Sequence, residues 1–301
     1  MGVTAKWRSG VATDPGRVRD ENEDRYYVDD ERGVFLVVDG VGGHAGGETA
    51  AEIAVDVISG SVGAKASIPE AIASANNAIY ERACSDESLQ GMACVLTLAV
   101  IQEDKVTIGH VGDSRLYLIW NGAMRKLTSD HSPVGEREDR GELSEEEAML
   151  HPRRHEVFRD VGSRPRQAGT EEFVEVKEFL LKPDAAVLLC SDGLSDCLTS
   201  AEMSEIIECY DGDPVQTALD LVEAANEAGG TDNITAIFLA GSEFIGNTTP
   251  IMAEARERNA ITRPREGLET GQRSWKQILT GRVAFLIYGL LLGLLLALRF
   301  R

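Results

Sequence analysis

The 301-residue chain has few basic residues, and its cysteines form no recognisable pairs. Its 30 Lys and Arg stand against 50 Asp and Glu, which leaves a net charge of −20. Binding to nucleic-acid phosphates requires clustered Lys and Arg, so this balance argues against a nucleic-acid-binding protein. The five cysteines include no CxxC pair, which predicts reduced, mostly buried thiols. An apolar content of 43% excludes a wholly disordered chain.

The two ends of the chain differ in hydrophobicity. The first ten residues contain no apolar core, so no secretory signal peptide is expected. Residues 283–298 form a run of 16 residues without a charge or a proline, with Arg282 before it and Arg299 after it. As a helix this run would rise roughly 24 Å, less than a hydrocarbon core of about 30 Å, and the arginines can extend outward to compensate. We expect a C-terminal transmembrane anchor over 282–299.

Charge divides the chain into three parts. Residues 244–301 hold nine basic and four acidic residues, so the first 243 residues carry −25. This predicts a folded acidic domain (1–243), a flexible basic linker (244–281) and the anchor. The basic flank of the apolar run predicts a single-pass membrane protein with its domain in the cytoplasm. Gly289-x-x-x-Gly293 is a weak signal that two such helices pack together.

Hydrophobic periodicity predicts an α+β domain. The predicted strands are 34–39, 93–101, 105–110, 115–120, 173–181, 186–190 and 233–240, and the predicted helices are 48–59, 68–84, 144–150, 201–210 and 214–227. The three strands between 93 and 120 are spaced as an antiparallel meander with turns at 103–104 and 112–113. Strand meanders alternating with helix pairs are typical of layered α+β folds.

Five acidic segments lie beside tight turns, mostly at the ends of predicted strands. They are Asn22-Glu23-Asp24, Val38-Asp39-Gly40, Gly112-Asp113-Ser114, Ser191-Asp192-Gly193 and Gly230-Thr231-Asp232-Asn233. Any one of them alone is more readily explained as a turn. Several together would make an all-oxygen site, which selects Mg²⁺ or Mn²⁺ over zinc or copper.

These segments, taken in order with Asp14-x-Gly16-x-x-Arg19, resemble the protein phosphatase 2C (PPM) family and its compact bacterial branch. The resemblance covers about residues 10–240 and leaves out the linker and the tail. It implies an α-β-β-α sandwich, in which two antiparallel sheets are flanked by helices and a metal cleft lies at one edge. It also implies hydrolysis of phosphoserine and phosphothreonine on proteins, opposition to a Ser/Thr kinase, and two Mg²⁺ or Mn²⁺ ions with room for a third.

The resemblance also implies residue roles. Asp39 corresponds to the carboxylate that bridges two metals, and Gly40 to a residue whose carbonyl binds one of them. Asp192 and Asp232 correspond to the other ligands of the first metal. Asp24 corresponds to the residue that holds water on the second metal, with Glu23 in support. Asp113, with Asp192, corresponds to a weaker third site, and Arg19 to the residue that grips the substrate phosphate.

The implied chemistry is physically consistent. A phosphomonoester dianion is repelled by a carboxylate-rich cleft unless divalent cations neutralise it. Two metals about 3.5–4 Å apart can hold one water and lower its pKa toward neutrality, ready for in-line attack. Arg19 can bind two phosphate oxygens as a planar fork. The alternative for Arg19 is a surface pair with Asp20 or Glu21.

The sequence departs from the family pattern in two segments. Val41 stands where some members have a histidine that is proposed to protonate the leaving alcohol, so metal-bound water becomes the expected donor. His44, three residues later, is either near the site or a solvent-exposed turn residue. In Gly91-Met92-Ala93-Cys94-Val95, Cys94 and Val95 replace a usual threonine pair, and we expect an inert buried cysteine.

The polar segment 128–166 corresponds to a flap that is thought to influence substrate choice. Its basic side chains are Arg153, Arg154, His155 and Arg159. They either contact an acidic or phosphorylated partner or balance the local acidic run Glu142, Glu145, Glu146 and Glu147. The main alternative to an enzyme is a pseudophosphatase that binds phosphoproteins at a membrane without hydrolysis. That reading predicts missing ligands, and the sequence has the full set.

Overall fold

The computed structural model describes residues 7–41, 45–62, 66–167 and 173–246. The strands are β1 (Trp7–Asp14), β2 (Arg25–Asp29), β3 (Val34–Val41), β4 (Ala93–Gln102), β5 (Lys105–Val111), β6 (Arg115–Trp120), β7 (Ala123–Lys126), β8 (Glu175–Leu180), β9 (Ala186–Cys190) and β10 (Ile234–Gly241). The helices are α1 (Ala45–Ser61), α2 (Ile68–Ser85), α3 (Pro133–Asp139), α4 (Glu145–Met149), α5 (Asp192–Ser195), α6 (Ser200–Glu208) and α7 (Pro214–Glu227). The predicted elements are therefore present, and most bounds lie within two residues of the prediction.

The strands form two five-stranded antiparallel sheets. The first sheet has the order β1-β10-β9-β6-β7 and the second has the order β2-β3-β4-β5-β8. This confirms the predicted α+β fold with two antiparallel sheets. The predicted meander is wrong after its second strand, because β6 pairs with β9 and β7 and not with β5. The turn at Gly112 therefore carries the chain from one sheet to the other.

Three apolar layers hold the sandwich together. Phe35, Val37, Leu189 and Ile237 belong to the layer between the two sheets. A second layer packs α1 and α2 against the β3–β4 sheet, and a third packs α6 and α7 against the β9–β10 sheet. Because both faces of the central strands are covered, every residue of β10 is buried. The strand ends are thus held on a rigid frame.

Side-chain caps mark where several helices begin. Asp213 accepts a hydrogen bond from the Val215 N–H at 2.9 Å, directly before the Pro214 that opens α7. Glu202 accepts from the Thr199 N–H at 2.8 Å and forms a capping box at the start of α6. Each cap satisfies a backbone donor that the first helical turn leaves without a partner.

The predicted linker beyond residue 246 and the predicted membrane anchor lie outside the described residues. Within the part of the chain that the structure describes, no helix is long and apolar enough to cross a membrane. All five cysteines are described, and all are free thiols. Only Cys94 and Cys190 are buried while Cys84 is exposed, so the expectation of mostly buried cysteines was wrong.

Gly10 of β1 lies against the start of α7 and gives a test of this packing. A Cβ at Gly10 would lie 2.2 Å from the backbone of Pro214. Gly10→Ala should therefore lower the free energy of unfolding by about 1–3 kcal/mol through overpacking, measured by urea denaturation. Gly60→Ala is the matched control, because a Cβ there meets nothing within 4 Å. It should leave stability unchanged or raise it by up to ~1 kcal/mol through helix propensity. Equal stability of the two variants would contradict the packing.

Candidate metal centre

Strand ends from both sheets meet at one edge of the sandwich, where a cleft of about 190 Å³ opens. The lining residues are Arg19, Glu23, Asp39, Gly40, Val41, Val95, Asp113, His155, Val157, Asp192, Asp232 and Asn233. The acidic segments that are distant in sequence therefore converge. Of the predicted site residues, only Asp24 is missing from the lining.

Buried strands bring the acids of the cleft to this edge. Asp39 lies near the end of β3, after the fully buried run 34–38, and pairs in register with Val95 of β4. Asp192 opens α5 two residues after β9, and Asp232 lies two residues before β10. Because β9 and β10 are antiparallel neighbours, the end of one and the start of the other share an edge.

Crowding of like charges in a poorly solvated cleft changes the titration of its acids. Burial, followed by Asp192 and Asp24, raises the pKa of Asp39 well above its usual range. Burial, followed by Asp192 and Asp130, raises the pKa of Asp113 in the same way, although Arg115 opposes the shift. Both carboxylates are therefore difficult to ionise without a compensating cation.

Asp24 lies behind the cleft as a buried acceptor. Its Oδ2 accepts hydrogen bonds from Ser191 Oγ at 2.7 Å and from Thr235 Oγ1 at 2.6 Å. Its Oδ1 is buried without a hydrogen-bond partner. Burial raises the pKa of Asp24 to about 7, while the two hydroxyl donors oppose that rise.

Glu23 is closer to the open cleft than Asp24 is. A Cβ added to Gly47 would lie 2.0 Å from Glu23 Oε2 and 2.9 Å from the Gly40 carbonyl oxygen. Only glycine at position 47 leaves room for these two oxygens. The carboxylate of Glu23 and the carbonyl of Gly40 therefore border the same small space.

Arg19 forms its ion pair across the cleft. Its Nη2 donates to Asp232 Oδ2 at 2.7 Å, and the Arg19 side chain is 52% exposed. The alternative of a local pair with Asp20 or Glu21 is therefore not the one observed. The amide of Asn233 fixes the loop that carries Arg19, because its Nδ2 donates to the carbonyls of Pro15 and Glu21.

Asp196 is a site residue that sequence reasoning missed. It follows α5, four residues after Asp192, and burial raises its pKa to about 7. His155 Nδ1 lies 3.6 Å from Asp196 Oδ2 and 3.8 Å from Asp192 Oδ2. The spacing of four residues was the available signal, since it puts two side chains on one face of a helical turn. No glycine adjoins Asp196 in the sequence.

The basic residues of the flap have specific partners. Arg154 Nε donates to Asp196 at 3.0 Å, Arg153 pairs with Glu156 at 2.6 Å, and Arg159 Nη1 lies 3.1 Å from His131 Nε2. Two residues of the acidic run have other partners. Glu142 pairs with Arg140, and Glu145 accepts from the Ser200 N–H at 2.9 Å. The flap is thus tied to the body of the domain next to Asp192.

The departures at Val41 and Cys94 have simple structural settings. Val41, 39% exposed, lines the cleft together with Val95 and Val157, which gives the cleft an apolar wall. Cys94 is fully buried and its pKa is raised by that burial, consistent with an inert thiol. His44 lies outside the described residues.

The cleft has the chemistry of a divalent-cation site. Its charged groups are mainly carboxylates, and the buried oxygens Asp24 Oδ1 and Asp192 Oδ1 have no hydrogen-bond partner. Oxygen ligands with closely spaced negative charge suit hard cations such as Mg²⁺ and Mn²⁺. The residues that are present therefore fit the metals that the resemblance implies.

Comparison with known proteins gives one consistent result. A family model described as protein phosphatase 2C matches residues 17–220. The serine/threonine phosphatase stp of Listeria innocua is 37% identical over 242 residues, which cover 75% of this chain and 93% of the relative.

Solved structures agree with the sequence matches. The Mycobacterium tuberculosis serine/threonine phosphatase PstP/Ppp superposes with a TM-score of 0.68 at 28% identity, covering 78% of this chain and 98% of that one. The catalytic domain of PstP in complex with two manganese ions gives a TM-score of 0.67 at 28% identity, covering 78% and 97%. Five sequence motifs, two stacked sheets and one carboxylate cleft thus lead to the same conclusion: the chain belongs to the protein phosphatase 2C family of Mg²⁺- or Mn²⁺-dependent serine/threonine phosphatases.

Proposed function

We propose that this chain hydrolyses phosphoserine and phosphothreonine on proteins at the cleft between its two sheets. The observation that carries the proposal is the convergence of Asp39, Asp113, Asp192 and Asp232 in one cleft, with Arg19 at its rim. Asp39 would bridge two cations, with Asp192 and Asp232 completing the first site. When bound, the ions supply positive charge and lower the pKa of the water that attacks phosphorus.

Glu23 takes a larger part in this proposal than the sequence alone suggested. Its carboxylate and the Gly40 carbonyl adjoin the same space beside Gly47, so together they would hold the second cation. Asp24 would act from behind, through the Oδ1 that no hydrogen bond satisfies. Ser191 and Thr235 keep that oxygen aimed by holding Oδ2. Asp113 and Asp192 would share a third, weaker cation.

The rest of the cleft positions the substrate. Arg19 would bind the phosphate through its guanidinium fork, and its 52% exposure leaves it free to turn toward an entering dianion. Val41, Val95 and Val157 would exclude water beside the scissile bond. The lining holds no histidine at position 41, so a water molecule remains our proposed proton donor to the leaving alcohol.

The proposal extends to the setting of the enzyme. Residues 282–299 would anchor the phosphatase to a membrane with its domain in the cytoplasm, supported by the uncharged run and the arginines that flank it. The substrates would be phosphoproteins made by a cognate Ser/Thr kinase. Recovery of the full chain in the carbonate-washed membrane fraction of its host would support the anchor, and recovery in the supernatant would contradict it.

A phosphopeptide assay tests the activity. The full chain, in a mild detergent, should release phosphate from a phosphothreonine peptide with Mn²⁺ or Mg²⁺ and lose that activity in excess EDTA. Equal turnover in EDTA would contradict a metal mechanism. Binding of the phosphopeptide with no release in Mn²⁺ would favour the pseudophosphatase alternative.

Arg19 variants test the phosphate contact. Arg19→Ala should lower kcat/KM roughly 10- to 100-fold, because a charge-assisted hydrogen bond is worth about 1.5–3 kcal/mol. Arg19→Lys keeps the charge without the fork and should fall in between. Arg17→Ala, an exposed arginine on the same loop, is the control and should stay within twofold. An Arg19→Ala enzyme with unchanged kcat/KM would remove Arg19 from the mechanism.

A further inference from the structure

His131 clasps the residue before Asp113 from both sides. Its backbone N–H donates to the Gly112 carbonyl at 2.7 Å, and its Nδ1 accepts from the Gly112 N–H at 3.0 Å. His131 as a whole is 6% exposed, and its ring stacks on His110 with centroids 4.9 Å apart. Two hydrogen bonds from one buried residue therefore fix the peptide groups on either side of the Gly112 Cα.

The turn that carries Asp113 has no strand pairing of its own. β5 ends at Val111 in one sheet and β6 starts at Arg115 in the other, so residues 112–114 lie outside both ladders. Gly112 adopts φ +112°, and a Cβ there would lie 2.2 Å from the Val95 side chain. Such a turn keeps its shape only through contacts made by other residues.

Thr97 holds the far side of the same turn. Its Oγ1 donates to the Ser114 carbonyl at 2.9 Å, which leaves His110 Nδ1 as the donor to that oxygen, also at 2.9 Å. The backbone on either side of Asp113 is thus held by two buried residues, His131 at Gly112 and Thr97 at Ser114. His131 is the clamp on the side of the flap, because its carbonyl accepts from the Phe158 N–H at 2.9 Å.

Nδ1 of the His131 ring must be unprotonated to accept the hydrogen bond from the Gly112 N–H. Burial, followed by His110 and Arg159, lowers the pKa of His131 to about 3, so the ring is neutral and has one acceptor nitrogen. Two donors face it, the Gly112 N–H and Arg159 Nη1. The N–H of the buried Gly112 cannot exchange its partner for water, whereas the guanidinium of the half-buried Arg159 can. Nδ1 therefore accepts from Gly112, and Nε2 carries the proton.

We propose that His131 is a positioning residue that holds Asp113 in place for a divalent cation shared with Asp192, and that its Nδ1 lone pair is the atom responsible. This inference rests on the proposed function for the existence of that cation site. His131 itself belongs to the flap segment 128–166, and its carbonyl accepts from the Phe158 N–H, so it links the flap to the geometry at Asp113.

Two substitutions separate the lone pair from the bulk of the ring. His131→Asn places an amide oxygen near the position of Nδ1, while His131→Gln places its amide near Nε2 instead. Both remove the stacked ring, so loss of packing is common to the pair. Asp113→Asn serves as the reference for a lost third site. Binding of Mn²⁺ alone to the full chain in mild detergent is measured by isothermal titration calorimetry, with the Tm in EDTA recorded for each variant.

The expected pattern is specific. The natural chain binds three Mn²⁺ and Asp113→Asn binds two. His131→Gln weakens the third Mn²⁺ at least tenfold and leaves the other two within twofold, while His131→Asn stays within about threefold at all sites. An unchanged third site in His131→Gln, or equal loss in both His131 variants, would overturn the inference. So would the same number of ions in the natural chain and Asp113→Asn. If the natural chain binds no Mn²⁺ and hydrolyses no phosphopeptide, it is the proposed function itself that fails.

Discussion

An Asp39→Asn chain is expected to release phosphate at least a thousandfold more slowly than the natural chain, which is a loss of ~4 kcal/mol of transition-state stabilisation. Asp39 lines the cleft, and after burial the charges of Asp192, Asp24, Asp113 and Asp232 raise its pKa, so four other acids act on it. A carboxamide carries no negative charge, so it cannot bridge two cations as a carboxylate does. Phosphopeptide turnover in saturating Mn²⁺ measures the effect.

The same variant should be more stable than the natural chain when metal is removed. The raised pKa of Asp39 means that its ionised form is disfavoured by folding, so replacing it relieves repulsion at neutral pH. The Tm in EDTA at pH 8 should therefore rise. Asp56→Asn makes the same chemical change on the exposed face of α1 and should alter neither turnover nor Tm. Loss of activity accompanied by a lower Tm would indicate a folding defect instead.

Without metal, the stability of the native state should depend on pH through the raised pKa values of its carboxylates. Asp24, Asp39 and Asp113 all have raised pKa values, so the native state holds protons that the unfolded chain releases above pH ~4. Their contribution to stability is present below that pH and is lost as pH rises through the folded values, about 7 for Asp24. His155, whose pKa is raised first by its contact with Asp192, adds to the fall.

Two histidines act with the opposite sign over a lower range. Burial lowers the pKa values of His110 and His131, so their contribution grows with pH up to about 6.5 and is constant above it. Between pH 6.5 and 8, the Tm in EDTA should therefore fall, and Asp39→Asn should show a shallower fall. A Tm in EDTA that rises across this range would contradict the raised carboxylate pKa values.

Mn²⁺ should counter this loss. At 100 times its Kd, one ion stabilises the native state by about 2.7 kcal/mol, or roughly 5–10 °C in Tm for a domain of this size. The increase should be larger at pH 8 than at pH 6.5, since fewer protons compete for the ligands. Differential scanning calorimetry at both pH values measures it, and an equal increase at both would argue against ligation by the raised-pKa acids.

The sequence predicted the strands and the family motifs better than their arrangement. The bounds of β6 and β9 were predicted as observed, because each is a short apolar run. Which sheet receives β6 could not be read from its pattern, since alternation fixes the buried face and not the neighbour. The strands β1, β2 and β7 were missed. For β7 the reason is that a four-residue edge strand with exposed polar positions has no distinctive pattern.

The site shows the same division. Motif order and turn glycines identified Asp39, Asp192 and Asp232, which all line the cleft. Whether Glu23 or Asp24 faces the open space was beyond the sequence, because adjacent residues in extended chain point to opposite sides. The clamp formed by His131 was also hidden, since it joins residues 19 positions apart through a backbone group.

The acids of the cleft belong to two different halves of the sandwich. Asp39 extends from the β3–β4 sheet, whereas Asp192 and Asp232 border β9 and β10 of the other sheet. A cation held by all three would link the two sheets, and its affinity would depend on how the sheets pack against each other. A substitution deep in the apolar seam, at Phe35 or Leu189, could therefore loosen metal binding without altering a single ligand.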